Sequence, residues 1–433
     1  MIISQNKFRP ESVLAACSIL ALVATSVFGT LAALTFILLS IALFLTHPRD
    51  ALQSVARFSP LFILPVLAVL STIWSDAPPR TLRAALQLSI TVGSGIVAFR
   101  QLDPRKTIAL LFLGFLAVAV FALPYVPQAL STGQAMTAFF DSKNALAFNA
   151  VLLFALGFGS ALDPVQHWSV RLAGLLALPL ACLIIYLCQS ASATTSIALL
   201  LVTMPSLVAL GRMNQPTRIA LVALLVLMLA VAFFFLPEIV AAIADLRGNV
   251  LKKDATLTGR TYLWQFAGRL TAERPWMGHG YGAFWRLGNL DAEALWRWGG
   301  IANRGGFNFH NAYIEMGVDL GFLGQFILYA SCVVIAVLGV LRQVFRPSAP
   351  VAFFLSLQIV VYIRSYAETG LIAPFSLLTI LWVGTAVYAV SLKNEDDRVE
   401  QAGASPTRNT RTVMNRTNRA ERIPRRVSHT GAG

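Results

Sequence analysis

The side chains in this sequence that could do chemistry stand at the edges of apolar runs. His310 lies in Phe309-His310-Asn311-Ala312-Tyr313, where a long polar loop returns to an apolar segment. A neutral imidazole with a pKa near ~6.5 can take a proton from a sugar hydroxyl at neutral pH. Arg260 and Arg269 are fixed cations of the same loop. A guanidinium is always charged and meets phosphate oxygens through two parallel hydrogen bonds. Asn311 and Glu315 stand four residues apart on the helix expected after His310, and Glu315 falls near the end of an apolar span. A carboxylate there is costly unless it is paired or functional. Each residue also has a bland reading. A lone interfacial histidine can be a satisfied structural residue, and a loop arginine a solvated charge or a headgroup contact.

Further polar positions recur near span ends on the side that charge counting makes the outer one. Arg80 and Arg83 follow Trp74-Ser75-Asp76-Ala77-Pro78-Pro79, Lys143-Asn144 opens another span after Asp141, and Arg364 lies near the end of a third. Arg364 and Glu368, at i and i+4, could simply pair with each other. Short outward-facing loops usually avoid Lys and Arg, so cations around this mouth suggest an anionic ligand. A pyrophosphate-linked lipid fits. The loop around His310 also holds Trp264, Trp276, Trp285, Trp296 and Trp298, five of the chain's eight tryptophans. Such rings, Trp264 and Trp285 among them, can cover the apolar face of a sugar or anchor interfacial helices.

The elements that must position these residues are membrane helices. Of 433 residues 57% are apolar and 12% charged, against about 45–50% and about 25% for an ordinary soluble domain. That excludes a soluble enzyme of this size and leaves an all-α integral membrane protein. The net charge of +14 reflects topology rather than nucleic acid binding, because basic residues mostly sit in short connections between apolar runs. Apolar runs near 12–29, 30–46, 60–75, 84–100, 107–124, 145–161, 171–188, 194–210, 218–236, 313–341, 350–366 and 371–391 give about twelve transmembrane helices. The first two read as a hairpin around Gly29-Thr30, and no cleavable signal peptide is apparent. With the N-terminus inside, short inner segments carry twelve Lys and Arg (Lys7 and Arg9 among them) and short outer ones four. Both termini are then cytoplasmic.

Four regions follow: helices one to nine over 1–236, a large periplasmic loop over 237–311, helices ten to twelve over 312–391, and a basic tail over 392–433. The tail has almost no apolar residues and reads as disordered, a topological anchor touching anionic lipid. Within the loop, Thr258 can cap a helix that puts Arg260, Trp264 and Ala267 on one face. Cys17, Cys182, Cys188 and Cys332 all lie in apolar runs, which argues against a disulfide framework or metal cluster.

The segment Gly259-Arg260-Thr261, Trp264, Glu273-Arg274-Pro275-Trp276-Met277-Gly278-His279-Gly280-Tyr281-Gly282, His310-Asn311-Ala312-Tyr313 and Leu320-Gly321-Phe322-Leu323-Gly324 resembles the shared region of O-antigen ligases and Wzy-type polysaccharide polymerases. Trp74 to Leu82 and Lys143-Asn144 resemble the ExoQ-like exopolysaccharide branch. The resemblance implies a metal-independent GT-C-like glycosyltransferase, with no cofactor, in the bacterial inner membrane. It implies an undecaprenyl-pyrophosphate-linked oligosaccharide as donor, with Arg260 and His310 as the catalytic pair. Arg269, Arg83, Arg80, Lys143, Asn144, Asn311, Glu315, Arg364, Trp264 and Trp285 would bind pyrophosphate or glycan. The bilayer is an obligate partner, and a chain-length regulator or other export-pathway proteins are further candidates. Relatives often have His-Lys-Asn where this chain has Ser142-Lys143-Asn144, so Ser142 cannot supply a histidine's role. The Ser/Thr-rich stretch from Gln189 to Ser196 favours a polymerase.

The expected function is therefore polymerisation of lipid-linked repeat units. The nearest rival is an O-antigen ligase that delivers glycan to lipid A-core. A lipid-linked oligosaccharide transporter would want ionisable residues deep in several spans, and here they gather at outer ends and in one loop. A non-catalytic glycan-binding scaffold would tolerate loss of His310.

Overall fold

The computed structural model describes residues 10–140, 142–235, 259–302 and 307–391, with the single positions 238, 304 and 431. The chain divides into residues 1–391 and 392–433. The expectations for Lys7, Arg9, Asp141, Thr258, the first part of the long loop and the basic tail lie outside the described residues.

Every described element is helical. In chain order these are α1 (Pro10–Val23), α2 (Thr25–Phe28), α3 (Thr30–Thr46), α4 (Pro48–Arg57), α5 (Ile63–Leu70), α6 (Pro78–Gln101), α7 (Pro104–Ala122), α8 (Val126–Thr132), α9 (Lys143–Leu162), α10 (Trp168–Cys188), α11 (Ala191–Arg212) and α12 (Gln215–Phe234). Then come α13 (Arg260–Glu273), α14 (Leu290–Trp298), α15 (Ala312–Phe345), α16 (Ala349–Arg364) and α17 (Leu377–Ser391), with short 3-10 turns between some of them. Lipid offers no hydrogen bonds, so an apolar run satisfies its backbone internally as helix. Each of the twelve apolar runs overlaps helix among the described residues. Among the described residues seven helices are long and apolar enough to cross a membrane, or eight if the pair α3 and α4, bent by 105°, counts as one. The stretches Pro10–Val23, Ser59–Ile73, Ala349–Arg364 and Leu377–Ser391 are apolar but shorter.

Caps fix several starts. Asp103 accepts from the Arg105 amide ahead of α7, Asn214 from the Thr217 amide ahead of α12, and Ser142 from the Ala145 amide ahead of α9. Ser142 is thus a helix cap. α1 folds back on α3 through α2, and α9 is the most enclosed of the long helices while α12 is nearly all exposed. One end of the bundle is tied by Arg105 to Asp163 at 2.6 Å and by Tyr388 to Thr107 at 2.7 Å. α7 carries the chain to the opposite end, where the charged groups collect, and α9 returns it to Asp163.

Two expected spans need correction. The last one starts at Leu377 rather than 371, because Pro374 and Phe375, with φ of +51°, interrupt the run. The span expected at 313–341 is broken at Gly321, which has φ +65° and ψ −164°. That conformation is essentially restricted to glycine. The two halves of α15 fold sharply against each other: Gln325 donates to the Tyr313 carbonyl at 3.0 Å, and Tyr313 stacks on Tyr329 at 4.5 Å. A straight helix would separate residues 313 and 325 by about 18 Å.

The break is where the Gly-rich loop docks. The Phe322 amide donates to the Pro275 carbonyl at 2.6 Å, and the His279 and Gly280 amides donate to the carbonyls of Val318 and Asp319. A Cβ on Gly278 would lie 2.6 Å from the Asp319 backbone, and one on Gly321 2.5 Å from that of Trp276. Two backbones meet without side chains between them, which explains glycine at both positions. Trp74-Ser75-Asp76 clamps the other side of the loop. The Trp74 indole donates to the Met277 carbonyl at 2.9 Å, and Asp76 holds Arg274 at 2.8 Å and His279 at 2.9 Å.

Candidate active site

Residues from four separate stretches meet at Glu368, in the segment between α16 and α17. Arg260, the first residue of α13, places Nη2 at 3.1 Å from Glu368 Oε1. Asn144, on the first turn of α9, donates to the same oxygen at 3.0 Å. His310 approaches Oε2 through Nδ1 at 3.5 Å, the long end of a hydrogen bond. Arg364 ends α16 and lays its guanidinium over the Phe148 ring at 4.2 Å. Its Nε is buried with no hydrogen-bond partner among the described residues. Ser190, from the Ser/Thr-rich stretch, donates to Asn144 Oδ1 at 3.1 Å and so orients the amide. Burial alone would push the Glu368 carboxyl up. The His310 hydrogen bond and the charges of Arg364 and Arg260 outweigh it and hold Glu368 below the usual carboxylate range.

A cavity of about 370 Å³ opens beside this cluster. Asn144, Arg364 and Glu368 line it together with Leu22 and Val23 at the end of α1 and Thr25 at the start of α2. His310 is held in the left-handed region at φ +52°, uncommon for a non-glycine residue, with its amide bonded to Asn308. Glu368 engages Nδ1, so Nε2 is the ring nitrogen that this contact does not use. Chemically, the arrangement joins a potential proton acceptor to two guanidinium groups around one carboxylate.

The other candidate residues are placed differently. Asn311 caps α15, accepting from the amides of Tyr313 and Ile314. Glu315 accepts from the Trp285 indole at 2.8 Å and the Phe309 amide at 2.9 Å. Trp264 donates to the Phe309 carbonyl at 2.9 Å. Trp264 and Trp285 pack against a small core formed by Leu263, Ala267, Leu270, Phe284, Leu295 and Trp296, so both indoles serve the loop's own fold. Arg80 donates to the Gly282 carbonyl at 2.8 Å, while Arg83 is exposed on α6. Arg269 is exposed and stacks over Phe266 at 4.8 Å. Lys143 is exposed beside Asn144.

Behind His310 a second cavity, of about 230 Å³, is lined by Tyr281, Asn308, Glu315 and Asp319. Burial, with Asp319 and Glu315 nearby, holds the Tyr281 phenol well above its ordinary range, and its hydroxyl donates to the Ile372 carbonyl at 3.0 Å.

The hub residue Glu368 was legible in the sequence only as a possible partner of Arg364. The chain leaves the α16 helix after Arg364, and Glu368 ion-pairs with Arg260, 108 residues earlier. Its signal was an acidic residue among cations just past an apolar helix. Nothing in the sequence pointed to Ser190 as a partner of Asn144, or to Asp76 as the anchor of Arg274 and His279.

Fold and site together define a multi-pass helical membrane protein whose reactive groups converge at one end of the bundle, beside an apolar hairpin. Residues 175–329 match the family model Wzy_C, described as O-antigen ligase. Over 369 residues the chain is 29% identical to the exopolysaccharide production protein ExoQ of Rhizobium meliloti (strain 1021), an alignment that covers 83% of each chain. The resemblance drawn from the loop motifs stands on both matches. The family match takes in Arg260 and His310, whereas Asn144, Arg364 and Glu368 come from outside it.

Proposed function

We propose that the protein is an inner-membrane polysaccharide polymerase that joins undecaprenyl-pyrophosphate-linked repeat units at the periplasmic face. The observation that carries this reading is the convergence of Arg260, His310, Asn144 and Arg364 on Glu368 beside an apolar hairpin. A growing chain on undecaprenyl pyrophosphate is the donor and a second lipid-linked unit the acceptor. The acceptor hydroxyl oxygen bonds to the donor's anomeric carbon while the bond from that carbon to the pyrophosphate oxygen breaks. The leaving pyrophosphate keeps the electron pair, and the hydroxyl proton passes to His310 Nε2. Arg260 and Arg364 stabilise the charge that builds on the leaving group, which lowers the barrier as well as aiding binding. Glu368 orients the imidazole and keeps Arg260 in place until the diphosphate arrives. No metal is needed for this charge balance.

The orientation follows from the charge count: twelve crossings, both termini cytoplasmic, and the site at the outer end. The description of the matched family supports a second reading, in which the acceptor is lipid A-core. A deletion strain separates the two. Its surface and lipid-linked glycans are sized with and without plasmid-borne wild type and His310→Ala. Single repeat units that only wild type converts to long polymer support the polymerase. Long polymer that stays off lipid A-core makes the protein a ligase, and units stranded on the cytoplasmic face reject both.

A further inference from the structure

We propose that the cavity behind His310 seats the terminal sugar of the acceptor glycan, holding an uncharged ring and turning away an anionic one. The proposal rests on the polymerase reading and names the second substrate of the same site. The cavity measures about 230 Å³. Pockets for drug-sized ligands start at roughly 300 Å³, so this one has room for a single ring and not for an oligosaccharide. Thr369 and Gly370 line both it and the charged cavity, so the two spaces adjoin at the residues that follow Glu368.

Their linings differ in charge. Arg364 and Glu368 line the first, whereas the second holds Glu315 and Asp319 and no Lys or Arg. Arg80, whose charge acts on Asp319, donates to the Gly282 carbonyl at 2.8 Å and stays outside the lining. Glu315 and Asp319 stand one turn apart on α15, ahead of the break at Gly321. Carboxyl groups enclosed in a membrane protein are costly and mark a partner or a function. Glu315 accepts one hydrogen bond at each oxygen, from the Trp285 indole and the Phe309 amide, and Asp319 accepts from the Gly282 amide. A carboxylate offers about four acceptor sites, so both keep capacity for sugar hydroxyls. Asn308 accepts from the His310 amide through Oδ1, and its Nδ2 has no partner among the described residues. Met316, Ile372 and Pro374 supply an apolar wall for the C–H face of a ring.

Both substrates of a polymerase carry a diphosphate, so something other than the headgroup has to tell them apart. The donor's diphosphate goes to the cationic side. The acidic side repels a diphosphate and accepts hydrogen bonds from hydroxyls, so the acceptor enters sugar first, next to His310. A uronic acid would bring a third carboxyl into a small space with two others, and like charges so crowded oppose its ionised form.

The test uses the full chain in bilayer nanodiscs at neutral pH. The probes are methyl glucoside and methyl galactoside bearing a diazirine, beside their glucuronic and galacturonic acid counterparts, with peptide mapping after irradiation. The neutral probes should label within residues 308–319 and 369–374, and the acidic probes about tenfold less. Ala84 lines the cavity from α6, and Ala84→Leu should cut neutral labelling about tenfold by filling the space. Asp319→Asn should narrow the gap between neutral and acidic probes to about threefold or less. Leu175→Trp, on the exposed face of α10, should change nothing. Equal labelling by neutral and acidic probes, label that maps only elsewhere, or no label at all overturns the proposal. The wild-type maps carry the result even if a variant fails to fold. Labelling needs no turnover. Label in this cavity without polymer formation would reject the polymerase and keep the sugar site, and polymer formation with label elsewhere would do the reverse.

Discussion

If Glu368 ties the site together, its loss and the loss of Arg260 must not add. The Glu368 side chain is 14% exposed and that of Arg260 20%, so the pair is mostly enclosed. Removing one member of a fully buried pair costs about 3–5 kcal/mol, mainly because the other charge is left stranded. The residual exposure reduces this to about 1–3 kcal/mol for Glu368→Gln, which retains an oxygen for Asn144. Arg260→Ala should cost a similar amount, since it leaves Glu368 to Arg364 and His310. In the double variant both charges are gone, and the combined cost should fall short of the sum by about 1 kcal/mol or more. The assay is denaturant unfolding of the four purified proteins in one detergent at neutral pH, followed by tryptophan fluorescence. Additivity within about 0.5 kcal/mol would refute the reasoning, because the two side chains would then act independently.

Four further outcomes are expected. Arg260→Ala and His310→Ala should each abolish long polymer in the deletion strain while membrane levels stay normal; wild-type polymer length in either rejects its catalytic role. Because Glu368 titrates below its ordinary range, its stabilisation is fully present above the unfolded carboxyl's pKa and is lost as pH falls through the folded value. The stability gap between wild type and Glu368→Gln should thus shrink as pH falls below about 4, the ordinary carboxyl range, as read from unfolding midpoints. Gly321→Ala should destabilise by about 1–3 kcal/mol from backbone strain, before the contact with Trp276 is counted, and a lowered melting temperature would register it. Asp76→Asn weakens a half-exposed pair with Arg274, about 1 kcal/mol or less, so faster hydrogen exchange over residues 274–282 should appear with little change in global stability.

The helices could be read without a structure because the cause of each is local. A run of apolar residues in lipid has to close its own backbone hydrogen bonds, and the runs in α1, α3, α6, α7, α9, α10, α11 and α12 did so where hydropathy placed them. Arg260 and His310 were also legible, since their residue types and places at the edges of apolar runs limit the chemistry open to them. The tryptophans were more ambiguous. A Trp that faces a sugar and one that fills a small core have the same local pattern, and Trp264 and Trp285 proved to be packed against the core beneath α13 and α14.

The sequence by itself determined that this is a helical membrane protein with a charged loop and which residues could act there. Tertiary structure decided the partners. Arg364 and Glu368 are neighbours in sequence, yet Glu368 pairs with Arg260 because the chain leaves the helix after Arg364 and α13 delivers a second guanidinium. The break at Gly321 is written in no local propensity, since it exists to let the Pro275–Gly280 backbone dock some 40 residues away in the chain. Contacts of that kind depend on which backbones meet in space, and a one-dimensional pattern of residue types carries no record of that.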